Sequence, residues 1–120
     1  MILLSRDAIL AADDTPSEIV DVPEWGGQVR VMAMTGTDRD KFEACMVGKN
    51  GKPDPAKGLE NFRARLAAAC IVDEDGHRLF TEKDVAALGR KSAAALDRVA
   101  DAAQRISAMS QEDVEELAGN

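Results

Sequence analysis

The stretch TEKDVAALGRKSAAALDRVADAAQRISAM, Thr81–Met109, decides the fold class of this chain. Its apolar residues Val85, Leu88, Ala95, Val99, Ala102, Ile106 and Met109 recur at steps of three, four or seven, the spacing that keeps side chains on one face of an α-helix. The pattern predicts a single long helix from about Glu82 to Met109. Thr81 is placed to cap its first turn, and Asp84, three residues on, is placed to reach back as in a capping box. Lys83, Asp84, Arg90, Lys91, Asp97, Arg98, Asp101 and Arg105 fall mostly on the other faces and predict a solvated outer surface. The stripe is rich in Ala, which allows close backbone approach but buries little area per residue. It forms half of an intramolecular core, or shares part of its length, with the last turn and the tail, with another subunit.

Working outward, 120 residues suffice for one domain, 1–120, with one modest core and no need of disulfides or metal. The composition is 45% hydrophobic but only 3% aromatic, so the core should be thin. A formal net charge of -7 disfavours a nucleic-acid surface, because binding phosphates needs a clustered basic excess. No apolar run approaches the roughly 20 residues of a membrane helix. Met1–Leu4 is apolar, but Arg6 and Asp7 end the run too early for a signal peptide. The expectation is a soluble, cytosolic protein with no nucleic-acid or membrane partner. Cys45 and Cys70 have no second Cys near either of them, which argues against zinc and for two free thiols, buried or half-buried.

Residues 1–36 read as a short helix followed by a β-hairpin. Ser5 caps a surface turn or arm through Ala8, Ile9, Leu10 and Ala11, which ends at Asp13-Asp14-Thr15-Pro16. Ile19, Val20 and Val22 form one strand, and Val29, Val31 and Ala33, alternating with Gln28, Arg30, Met32 and Met34, form the next. Glu24-Trp25-Gly26-Gly27 lies between them and predicts a Gly-Gly turn with positive φ values. A lone hairpin is marginal in water, so one face needs a helix or another chain beneath it. Trp25, at the tip, either covers the end of the core or anchors a protein contact.

Residues 37–110 read as a helical body. Thr37, with Asp40 three residues later, is expected to cap a second helix through Phe42, Cys45 and Met46. Residues 47–58, rich in Gly, Lys and Pro, read as a mobile loop and lack the order of a phosphate-binding loop. Leu59, Phe62, Leu66, Ala69 and Cys70 define a third helix, with Glu60, Arg63 and Arg65 facing outward, packed on the long helix. Ile71 and Val72 extend its apolar run into the turn Asp73-Glu74-Asp75-Gly76, with Leu79 and Phe80 after it. A calcium loop is the functional alternative there, with Asp73 third, Asp75 fifth and Glu82 twelfth; Ile71 in the first position and Arg78 in the eighth argue against it. His77, the only histidine, has no Ser, Cys or carboxylate constellation to orient it, and no nucleophile elbow, zinc motif or dinucleotide fingerprint occurs. The reading is a non-enzyme without catalytic, cofactor or metal residues. Ser110 and Asp113 cap a last short helix over 111–120, acidic through Glu112, Asp113, Glu115 and Glu116, with Val114 and Leu117 apolar and Gly119 closing it. That segment is a solvated terminus or docks on a partner. The class is α+β: an N-terminal β-hairpin followed by a mainly α-helical body with one long amphipathic helix.

Taken in order, Ser5-Arg6-Asp7-Ala8-Ile9-Leu10, the hairpin Val20 to Gly27 with Val29-Arg30-Val31, Arg39 with Phe42-Glu43, Arg63 to Cys70, Val72 to Gly76, Leu79-Phe80 and Asp84-Val85 with Leu88 form a pattern. In these features the chain resembles the tail assembly chaperones of long-tailed, non-contractile phages and prophages. The Pro23-Glu24-Trp25-Gly26-Gly27 hairpin followed by the Asp73-Glu74-Asp75-Gly76 turn is the most specific pair.

The resemblance implies a chaperone of virion morphogenesis that binds the tape measure protein, keeps it soluble and promotes tail tube assembly. It implies the short form of a pair whose longer form arises by ribosomal frameshifting. The implied partners are the tape measure protein, that longer form, the major tail tube protein and further copies of the chain in a homo-oligomer. The implied location is the host cytoplasm, with the protein absent from the mature virion. A structural tail or head-completion subunit is the alternative, and a calcium-responsive regulatory module a further one. Trp25, Met32, Met34, Ile106, Met109, Val114 and Leu117 are the candidate interaction residues, since Met and Trp suit adaptable apolar contacts.

Overall fold

A computed structural model describes residues 2–46, 51 and 61–108. Helix α1 spans Arg6–Ala11, and the Ser5 side chain accepts a hydrogen bond from Ala8 N as its cap. Strands β1 (Ser17–Val22) and β2 (Gly27–Met32) pair antiparallel, with Val20 opposite Val29 and Val22 opposite Gly27. The connection differs from the predicted Gly-Gly turn. Pro23–Trp25 form one turn of 3-10 helix, and only Gly26 takes the left-handed conformation, at φ 75°. Gly27 is already in the ladder, because Pro23 pre-sets the φ that starts the 3-10 turn.

Helix α2 covers Gly36–Cys45 and is capped by Thr35, whose side chain accepts from Asp38 N. The cap therefore lies two residues before the expected Thr37, because Thr35 is the residue with extended backbone while Thr37 is already in the first turn. Helix α3 spans Phe62–Cys70 and is buried nearly all round: Phe62, Ala64, Leu66, Ala67, Ala68, Ala69 and Cys70 are inaccessible or nearly so. Arg65, expected to face outward, keeps only 18% of its side chain exposed and pairs with Glu82. Leu59 and Glu60 lie outside the described residues, as does most of the predicted loop.

Ile71–Val72 leave α3 as a third strand, β3, antiparallel to β2 with Val31 opposite Ile71, which completes the sheet order β1-β2-β3. The apolar run did not announce this strand, since two residues are too few for a period to show. Asp73–Gly76 make the expected turn. Asp73 Oδ1 accepts from Asp75 N at 2.8 Å and His77 N at 3.0 Å, and Gly76 has φ 85°.

The single helix predicted from Glu82 to Met109 is broken. Glu82–Asp84 form a 3-10 turn with the expected Thr81/Asp84 capping box, α4 occupies Val85–Leu88, and α5 spans Ala93–Ile106. Ser92 breaks the run: its backbone is non-helical, and its side chain caps α5 by accepting from Ala95 N at 3.3 Å. The step of seven from Leu88 to Ala95 conceals the interruption, because it skips Gly89-Arg90-Lys91-Ser92, which carry no apolar side chain. The two pieces serve different contacts. Val85 and Leu88 of α4 pack on Ala64 and Ala68, whereas Ala95, Leu96, Val99, Ala102 and Ala103 of α5 join Val22, Val31, Leu66 and Ile71 in the main core.

The α5 face thus supplies the support that the hairpin requires. Val20, Val22, Val29 and Val31 share one face of the sheet and lie on the core, and two ion pairs rim the contact, Glu24 with Arg98 (3.0 Å) and Glu18 with Arg105 (2.7 Å). These exposed pairs are each worth about 0–1 kcal/mol, so burial of the valines dominates. Leu66→Ala should therefore cost about 2–5 kcal/mol in urea unfolding, and Ser92→Ala about 1 kcal/mol from loss of the cap. A Ser92→Ala variant as stable as the parent would show that the break does not depend on this cap.

Candidate functional site

Three exposed features could receive another chain. The first is the N-terminal arm. α1 buries none of its residues, and Ile2 (83% exposed), Leu3 (98%), Leu4, Ile9 and Leu10 face solvent; β1, which follows in the chain, is an edge strand of the sheet, and its Ile19 is also exposed. Exposed large apolar residues in one segment, and an unpaired strand edge, each favour contact with a second surface. Sequence reasoning placed this arm at the surface but did not single out its side chains, since a six-residue segment gives no amphipathic period to read.

The second feature is a small apolar pocket of about 220 Å³ bounded by Trp25, Phe80, Ala87, Leu88, Asp84 and Lys91. Trp25, half-buried, also packs against the main core, so it both covers the end of the core and lines a surface recess. The 3-10 turn delivers it there from the hairpin tip. Glu24, beside it, has its carboxyl held below the usual range, first by a backbone hydrogen bond within its own residue and then by Arg98.

The third is a groove of about 330 Å³ between α2 and α3. It is lined by Asp38, Lys41, Phe42, Ala44, Cys45, Arg65, Ala68, Ala69, Arg78 and Glu82. Glu82 organises one wall by pairing with Arg65 Nη1 and accepting from Cys45 Sγ at 3.8 Å. Arg78 Nε donates to Ala68 O at 3.1 Å. The sequence signal for this groove was faint: Arg65 and Glu82 come from segments 17 residues apart, and only the folded chain joins them.

The predicted interaction residues do not form one patch. Trp25 lies at the turn end of the hairpin, whereas Met32 lies opposite Ser17 at its open end, about 17–20 Å of strand away. Met32 Cε lies 3.2 Å from the position a Cβ would take at Gly76. Met34 and Ile106 do come together: both pack on the main core, and Met34 N donates to the Ser107 side chain at 3.2 Å. Met109, Val114 and Leu117 lie outside the described residues.

The chemistry on these surfaces is that of contact. Cys70 is buried, and desolvation pushes its thiol up to about 11, the opposite of what a nucleophile needs. His77 Nδ1 lies 3.8 Å from the Asp73 carboxylate, beyond hydrogen-bonding distance. Asp73, Asp75 and His77 place ligand atoms within 4.8 Å of one another at the surface. Asp73 is nevertheless engaged by the turn, its pKa lowered mainly by the His77 amide. Glu82, twelfth in the calcium-loop alternative, is turned to Arg65. Among the described residues, no helix is long and apolar enough to cross a membrane.

An α+β chain with an exposed apolar arm, an open sheet edge and two recesses is equipped to bind proteins. Over residues 5–119 its sequence matches the family of phage tail assembly chaperones, and the chain belongs to that family. Its fold is similar to that of the bacteriophage HK97 tail assembly chaperone, with a TM-score of 0.51 and 16% sequence identity over 80% of this chain and 94% of that one. No match occurs among curated protein sequences.

The thiols give a direct check on the core. Cys45 should react with an alkylating reagent at pH 8 in the native state and Cys70 should not. Because the folded pKa of Cys70 lies above its ordinary value of 9.0, its contribution to stability is fully present below pH 9 and is lost as the pH rises through about 11. A Cys70→Ala variant should flatten the fall in stability across that window, and an unchanged fall would assign it to other groups.

Proposed function

We propose that this chain acts in phage tail assembly by binding the tape measure protein, keeping it soluble and promoting polymerisation of the tail tube around it. It does so by reversible binding, without catalysis. It is the short, non-frameshifted form, and its other partners are the longer frameshifted form, the major tail tube protein and further copies of itself. It works in the host cytoplasm and leaves before the virion is complete.

Beyond family membership, the observation that carries this reading is the arm: Ile2, Leu3, Leu4, Ile9 and Leu10 are left to water on a chain whose other large apolar residues are mostly buried. A long amphipathic helical client needs such adaptable apolar contacts along its length. Trp25 with its recess, Met32 at the open end of the hairpin, and Met34 with Ile106 are further contact points, distributed over separate faces rather than gathered in one. Met109, Val114 and Leu117 extend this set into the C-terminal segment.

Co-expression with the tape measure protein of the same locus should raise its soluble fraction, with the two proteins eluting together. Ile9→Ser with Leu10→Ser should reduce that effect while leaving the circular dichroism unchanged, since neither residue is in the core. Equal insolubility with and without the short and longer forms would remove the reading. Detection of the chain in purified virions by mass spectrometry would favour a structural tail or head-completion subunit instead. Separately, Trp25→Ala should lower the oligomer mass with the fold intact, and an unchanged mass would exclude Trp25 from the contact between copies.

A further inference from the structure

The outer edge of β1 has the layout of a strand that pairs with itself. Ala33 N donates to Pro16 O at 2.9 Å, which extends the β1–β2 register by one pair beyond Ser17 and Met32. Hydrogen-bonded pairs alternate along an antiparallel ladder, so Glu18, Val20 and Val22 give their backbone groups to β2, and Ser17, Ile19 and Asp21 turn theirs away from it. β1 stands at the end of the sheet order, and among the described residues no segment pairs with that side. Such an edge is a template for another strand.

The side chains along the edge select the strand. Ser17, Ile19 and Asp21 are exposed on the sheet face away from the core. Ile19 is central, with Ser17 two residues before it and Asp21 two after. An antiparallel second copy of β1 centred on Ile19 therefore sets Ile19 against the partner's Ile19, and Ser17 against the partner's Asp21. Each pair lies on one face and exchanges backbone hydrogen bonds. The polar pair matches donor to acceptor. Arg30 Nη1 donates to Ser17 Oγ at 3.2 Å, which leaves the hydroxyl proton for the partner. Gln28 Nε2 donates to Asp21 Oδ1 at 2.6 Å, which leaves Oδ2 to accept.

Charge agrees with this register. Arg30 has no carboxylate partner among the described residues, and through Ser17 it comes beside the partner's Asp21. On the core side Glu18 meets the partner's Val20, and Arg105 already neutralises Glu18. Local matching of this kind is needed between copies of a chain with net charge -7, which otherwise repel.

We propose that β1 pairs antiparallel with β1 of a second copy about a two-fold axis at Ile19, joining the two sheets into one. The pairing supplies the contact for the association of copies proposed above and rests on that reading. It also runs the chain ahead of each Ser17 past the partner's Asp21, toward the hairpin end that holds the partner's Trp25.

Disulfide trapping tests the register. In the full chain with Cys45→Ser, Ile19→Cys places two cysteines about 5.5 Å apart at Cα across the axis, within disulfide reach. Oxidised glutathione should then give a two-chain product on a non-reducing gel. Asp21→Cys lies about 13 Å along the strand from its own copy and should give none. A mixture of Ser17→Cys and Asp21→Cys chains should give one. In sedimentation, Ser17→Asp sets carboxylate against carboxylate at both ends of the pairing and should raise the dimer dissociation constant about tenfold, whereas Ser17→Lys should not raise it. Unchanged circular dichroism shows each variant folded. No product from Ile19→Cys, an equal yield from Asp21→Cys, or a dissociation constant indifferent to Ser17→Asp overturns the pairing. An oligomeric chain without the Ile19→Cys product removes this contact alone; a chain monomeric at every concentration removes the association of copies as well. Hydrogen exchange at the Ile19 amide that slows only when tape measure protein is added would give the edge to that partner and also overturn the pairing.

Discussion

Burial of α3 on almost every side is the constraint on which the rest of the structure depends. Seven of its nine residues are buried, three of them in the run Ala67-Ala68-Ala69. Alanine lets a helix backbone come close on several sides at once, so α5, the sheet and α4 all reach the same short helix. The cost of that arrangement is small burial per residue, and cohesion rests on the larger side chains between the elements: Leu66, Ile71, Val22, Val31, Val99 and Met46. The T-shaped contact of Phe42 with Phe62, centroids 5.8 Å apart, adds the only aromatic pair among the described residues.

The break at Gly89–Ser92 follows from that central position. α4 packs on the Ala64–Ala68 side of α3, and α5 packs on the Leu66–Cys70 side and on the hairpin. A straight helix cannot follow both surfaces of so short a partner, and a break with its own cap at Ser92 resolves the conflict. At Gly89 the absence of a Cβ leaves room for the Asn61 side-chain amide. Asn61, itself at φ 62°, is of the residue type that tolerates that conformation ahead of α3.

A thin core has a functional counterpart. Part of its small set of bulky residues is committed around α3, and the recesses described above are shallow and open to the surface. Its buried thiol is held neutral, and its charged groups lie at the rims of contacts. What remains for partners is surface: an apolar arm, an unpaired strand edge and shallow recesses beside Trp25 and Arg65. These suit a tail assembly chaperone, whose work is contact with other proteins.

By itself the sequence determined the local elements whose signals lie within a few residues. The Ser5 cap, the valine strands, the Thr81–Asp84 capping box, the Asp73–Gly76 turn and the apolar stripe of Val85, Leu88, Ala95, Val99 and Ala102 are all local, because capping and periodicity are local physics. The order of its features also carried the family likeness. The tertiary structure alone decided the rest. Thr35 rather than Thr37 caps α2; Arg65 turns inward to Glu82; Ile71–Val72 join the sheet; and the predicted long helix divides at Ser92. The last three depend on what a distant segment places alongside: Glu82 for the arginine, β2 for the two-residue strand, and the two sides of α3 for the broken helix. Trp25 and Met32 lie at opposite ends of the hairpin and Met34 lies beyond β2, where it packs on the main core beside Ile106.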